Sequence, residues 1–196
     1  MNEYETFVKR HGCKIAVVEK RTLNCNAGAF KNSSIKVSSK WIDKLKEDGD
    51  IARQALYYSL SHEICHKRFD FSLLWLIPLL VISNFVNAFS FWLFKCYVIK
   101  TDQFIAWCAE VYNDIHSIDF VPSEIKTKDI QIEAMKYKQK HSKFTDRNHP
   151  GWNKRIEYVK YYTDFDNAID AIADELCYIN KLIIKIVKHH YLNLNR

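Results

Sequence analysis

The stretch SLSHEICHKR, Ser59–Arg68, sets two histidines four residues apart, with a glutamate directly after the first. On a helix, positions four apart lie one above the other, so the imidazoles of His62 and His66 can reach a single ion. Neutral imidazole nitrogens are ordinary zinc ligands, and Glu63, next to the first, has the position of a general base acting on water. The plain alternative is a pair of surface or core histidines on an unremarked helix. A catalytic zinc takes three protein ligands and keeps a fourth position open. The third must come from elsewhere, and CAEVYND offers Glu110 with Asp114 one turn on. Glu110 can ligate, while Asp114 can hydrogen-bond a ligand imidazole and fix its tautomer. His116 and Asp119 compete for the ligand role without an equivalent supporting residue. Taken by itself, an acidic pair on a helix is an ordinary solvated face.

These residues need rigid carriers. From about Asp50 to Arg68 apolar residues recur at helical spacing with no internal Gly or Pro, which predicts the helix that carries His62 and His66. A second long helix over roughly 96–118 would carry Glu110 and Asp114. Upstream, a short helix over 2–10 ends at Gly12, CKIAVVE (13–19) reads as a strand, and NCNAGAF (24–30) is turn chemistry leading into an extended piece. SIKVSS (34–39) alternates as a second strand, followed by a short helix capped by Ser38 or Ser39 and closed by Gly49. Downstream, 124–148 reads as a polar, basic stretch, and a helix starts after Pro150. The last segment, 165–188, has apolar residues at 165, 169, 172, 176, 179, 183 and 186, the stripe of one helix docked on the core.

Composition bounds the rest. The 196 residues are 48% hydrophobic, enough for one core and a single domain over 1–196, and only four Gly and three Pro leave little room for linkers. The formal charge of +6 is scattered along the chain, so no nucleic-acid partner is expected, and a basic face toward anionic lipid is equally compatible. The cysteines at 13, 25, 65, 96, 108 and 177 form no CxxC, and MNEYETFVKRHG is polar rather than signal-like. Both features fit free thiols in a reducing cytoplasm.

One segment stands out. FSLLWLIPLLVISNFVNAFSFWLF, 71–94, has no charged residue and the length of one membrane span. A full crossing would put His66 and Glu110 on opposite sides of the bilayer. Lys67 and Arg68 before it and Lys95 and Lys100 after it suit two cytoplasmic ends. With Pro78, Asn84 and Asn87 inside it, the segment reads as an apolar helical hairpin, shallow or re-entrant at the cytoplasmic face of a membrane. A buried hairpin or an oligomer contact are the other readings.

In order, NCNAGAF with SIKVSS, SHEICH, EVYND and HPGWNKRIEYV resemble the motifs of the gluzincin metallopeptidases in the group that contains the heat-shock protease HtpX and the prenyl-protein (CAAX) protease. The resemblance covers about residues 13–160. It implies an α+β, predominantly helical zincin-like metallopeptidase domain with a small N-terminal β-sheet, binding one zinc per chain. It also implies an endopeptidase whose extended substrate adds to the edge strand Ile35, Lys36 and Val37. His149 or Arg155 would sit near the site, either donating to the developing oxyanion or holding Asp114 and its helix in place. Cys65 stands where the family has Gly or another small residue, and the several membrane spans of the full-length members are not found. The alternative is a membrane-associated regulatory or interaction protein with a structural or vestigial zinc site.

Overall fold

The computed structural model describes residues 1–20, 22–26, 34–69, 92–142, 149–162 and 164–194. Helix α1 (Asn2–Arg10) leads to strand β1 (Ile15–Val18), then to β2 (Cys25–Asn26) and β3 (Ile35–Ser38). Helices α2 (Lys40–Glu47) and α3 (Gly49–Phe69) follow, and α4 (Trp92–His116) is the second long helix. After two 3-10 turns come α5 (Lys128–His141), α6 (Trp152–Tyr161), α7 (Phe165–Glu175) and α8 (Lys181–Leu194). The architecture is α+β and predominantly helical, with a small three-stranded sheet.

The sheet order is β1-β3-β2, with β3 parallel to β1 and antiparallel to β2. This corrects the expectation that Ile35–Val37 is an edge. Lys36 and Val37 are paired on both sides, to Ala16 and Val17 and to Asn26 and Cys25, so no further strand can add there. Ile35 and Val37 point into the core instead, 0% and 1% exposed. Ser38, the last strand residue, accepts from the Lys40 backbone N–H and so opens α2. Gly49, at φ +57, takes the left-handed conformation that ends α2 and lets α3 leave in a new direction.

Two further expectations change. The stretch read as polar over 124–148 contains α5, whose N-cap Thr127 accepts from the Ile130 N–H. Ile130, Ala134 and Tyr137 form its apolar side against the core that α3 helps to build. The single helix expected over 165–188 is two. Cys177 at φ 49 breaks it, and the Tyr178 N–H caps back to the Ala173 carbonyl at 2.7 Å. Asn180 then caps α8 by accepting from the N–H groups of Leu182 and Ile183. Ile179, expected in the buried stripe, is 86% exposed, and Val187 and Tyr191 are buried in its place.

The expected hairpin over 71–94 lies outside the described residues except for its last three positions, which begin α4. Among the described residues no helix is long and apolar enough to cross a membrane.

Apolar side chains gather in two clusters. One joins α1, the sheet, α2, α5 and the first part of α3, with Trp41, Leu56 and Leu60 fully buried. The other joins α4, α6, α7 and α8, with Phe104, Tyr112, Ile169 and Ile172 fully buried. The facing sides of α3 and α4 form the seam between them.

Candidate metal centre

His62 and His66 lie one turn apart on α3, and Glu110 faces them from α4. The three offer ligand atoms all within 4.8 Å of one another and could hold a metal ion. The separations fit one ion. His62 Nε2 and His66 Nε2 are 2.9 Å apart, and the Glu110 carboxylate oxygens lie 3.4 Å from the first and 3.2 Å from the second. Ligands about 2.0–2.1 Å from a tetrahedral zinc stand about 3.3 Å from one another. His62 and Glu110 are buried, and His66 is half-buried.

Each imidazole is gripped from behind. His62 Nδ1 lies 2.8 Å from Asp114 Oδ1. Asp114 is one turn beyond Glu110 on α4, so the same helix face that supplies the ligand supplies its support. His66 Nδ1 lies 2.8 Å from Asn113 Nδ2. With that amide turned so that its oxygen accepts from Nδ1–H, His66 presents its Nε2 lone pair to an ion. Sequence reasoning missed Asn113. It lies three residues after Glu110, on the side of the helix that meets α3.

Arg155 binds this arrangement from α6. Its Nε and one terminal nitrogen each donate to Asp114 at 2.6 Å, a bidentate pair, and the other terminal nitrogen is 3.4 Å from Glu110 Oε2. Trp152 lies 4.6 Å from the Arg155 guanidinium and packs against it. Gln131 on α5 donates to the Asp114 backbone carbonyl at 2.5 Å and to Ser117 at 3.0 Å. A helix that sequence reasoning passed over thus holds the end of α4 in place.

Burial and charge oppose one another here, and charge prevails. Burial alone would raise the Asp114 carboxyl, but Arg155 and His62 hold it down at about 2. Burial would likewise raise Glu110, and His66 and Arg155 bring it well below the usual carboxylate range. Burial disfavours a charged His62, yet Asp114 beside it raises its pKa. The two carboxylates therefore stay charged and favour positive charge on the groups between them.

Glu63 is buried on the turn of α3 between the two histidines, 6% exposed. It is close enough to Cys25 on β2 for its charge to act on that thiol. His149 Nε2 lies 3.4 Å from Glu110 Oε1 and is partly open to solvent, beside the three-residue group rather than within it. His116 and Asp119 pair with each other at 3.2 Å instead of joining the site. Cys65, between the two histidines, is fully buried as a small packing residue. Ile35, Lys36 and Val37 remain in the sheet interior.

No protein-family model matches the chain, and no curated protein or solved structure is significantly similar to it.

Proposed function

We propose that the chain is a zinc-dependent endopeptidase in which His62, His66 and Glu110 hold the ion and Glu63 is the general base. The observation that supports this reading is the meeting of two imidazoles and one carboxylate from separate helices, each with its own buried support. Two nitrogens and one oxygen favour zinc over magnesium or calcium, which take oxygen ligands. Zinc held by three protein ligands supplies a Lewis acid for a peptide carbonyl and lowers the pKa of water to about 7.

The protein groups then divide the work. Glu63 takes the proton as water attacks the carbonyl and returns it to the leaving amine. His149, beside Glu110 and reachable from solvent, can donate to the developing oxyanion. Asp114 keeps the His62 proton on Nδ1, and Arg155 keeps Asp114 in place. With β3 interior, an extended substrate would add along the outer side of β2, the strand whose Cys25 is near Glu63.

Metal content of the purified protein, measured by mass spectrometry beside cleavage of a degenerate peptide library, tests the reading. The expected result is about one zinc per chain, lost in His66→Ala and Glu110→Ala. Glu63→Gln should keep the zinc and lose cleavage by several orders of magnitude. Zinc with no cleavage by the native chain would leave a structural site. Full activity in Glu63→Gln would remove the proposed base.

A further inference from the structure

Among the described residues, helix α8 has one side exposed. Its sequence, KLIIKIVKHHYLNL, contains no acidic residue. Val187 and Tyr191 turn inward, 1% and 2% exposed, onto the cluster shared with α4 and α7. On the opposite face lie Leu182, Lys185, His189 and Leu192, all exposed. Leu182 is 66% exposed, Leu192 52%, and Ile179 in the preceding turn 86%. Lys188 is tied to Asp166 and Asp170 at 3.2 and 2.7 Å, whereas Lys181 and Lys185 make no ion pair among the described residues.

The location adds to the composition. Tyr178, just before Ile179, stacks on Phe104 with ring centres 4.5 Å apart, and its hydroxyl lies 2.9 Å from Thr101 Oγ1. The start of α8 is therefore fastened to the first half of α4. That helix begins at Trp92, about 13 Å of helix rise before Thr101. The sequence just before it, 71–91, carries no charge. The exposed face thus begins beside Thr101 and Phe104 and runs along α4 as far as Tyr112, on which Tyr191 packs with ring centres 4.5 Å apart.

Apolar and cationic side chains mixed on one exposed face, with no acid among them, suit the headgroup region of an anionic bilayer. The aliphatic groups can enter the acyl boundary while the ammonium groups meet phosphates. A second copy of this chain fits less well, because a contact through this face would cover Lys181 and Lys185 with no acidic residue on the same face to pair with them. We propose that Ile179 and the outward face of α8 dock the protein on an anionic membrane surface, lying in the interface rather than crossing it. The docking does not depend on the zinc site.

The test is co-sedimentation of the full chain with vesicles of phosphatidylcholine alone or mixed with phosphatidylserine. Binding to the mixed vesicles is expected, weakening as salt rises. The pairs Ile179→Asp with Leu182→Asp, and Lys181→Glu with Lys185→Glu, should each weaken it about tenfold or more without altering the circular dichroism spectrum. In Leu182→Trp the fluorescence should shift to the blue with mixed vesicles and stay unchanged with phosphatidylcholine alone. The proposal is overturned if the mixed vesicles do not bind the chain. It is equally overturned if both variant pairs bind as the native chain does, which would assign the contact to another part of the molecule. A change of oligomeric state in the variants with vesicle binding intact would assign the face to a second copy.

Discussion

Asp114 shows how one carboxylate serves several neighbours. It accepts two 2.6 Å bonds from Arg155 and lies 2.8 Å from His62 Nδ1, with its side chain buried. Its pKa of about 2 means that the charge is present throughout the neutral range. Asp114→Asn would keep the shape, lose that charge and relax the imidazole tautomer. Zinc affinity should fall about 10–100-fold, read by competition against a chelator. An unchanged affinity would show that Asp114 is only a structural partner of Arg155. Cys25 makes the opposite point about burial. Removed from water, its thiol is pushed up to about 12. At pH 8 it should resist a maleimide in the native protein while the exposed Cys177 reacts, with peptide mass mapping as the readout. Labelling of Cys25 at the rate of Cys177 would contradict its burial. His62, His66 and Glu110 were legible in the sequence because residue type and spacing state their chemistry. Asn113 was not, because an asparagine at a helix position obeys no spacing rule until the helix facing it is known.

Among the elements, α5 carries the clearest lesson. Its residues are mostly polar, and the apolar ones, Ile130, Ile132, Ala134, Met135 and Tyr137, spread around the helix too widely to give a strong period. The signal that did exist was local, with Thr127 as N-cap and Asp129 in the first turn. The helix matters because Gln131 grips the Asp114 carbonyl and Tyr58 of α3 donates to the carbonyls of Ile125 and Thr127 at its entry. Thr127→Ala removes the cap and should cost about 1 kcal/mol in urea unfolding, with no loss of zinc. A cost near zero would mean that α5 is held by packing alone. The break after α7 was hidden for a different reason. The period of 165–186 runs on through Cys177 unbroken, but a left-handed residue and the Asn180 cap end one helix and start another. Periodicity counts apolar residues and does not register a change of direction. The interior place of β3 was hidden too, since pairing partners are a property of the sheet and not of the strand.

At the scale of the whole molecule, the candidate ion would sit where the two apolar clusters meet. Helix α3 belongs largely to the cluster of the sheet and α5, and α4 to the cluster of α6, α7 and α8. Without an ion, the Glu110 and Asp114 carboxylates on the seam are paired with Arg155 and with the histidines around them. Such a network has to recover its desolvation by geometry alone. An ion held by His62 and His66 on one side and Glu110 on the other would join the clusters and stabilise the folded chain by mass action. With free zinc at 100 times its dissociation constant, unfolding should cost about 2.7 kcal/mol more than in chelator. His66→Ala should abolish that difference, while the chelated protein loses only the contacts of the half-buried ring with Asn113 and Glu110. Denaturant curves of both proteins in zinc and in chelator provide the measurement. A zinc-dependent gain that survives in His66→Ala would place the stabilising ion elsewhere and separate the seam from metal binding.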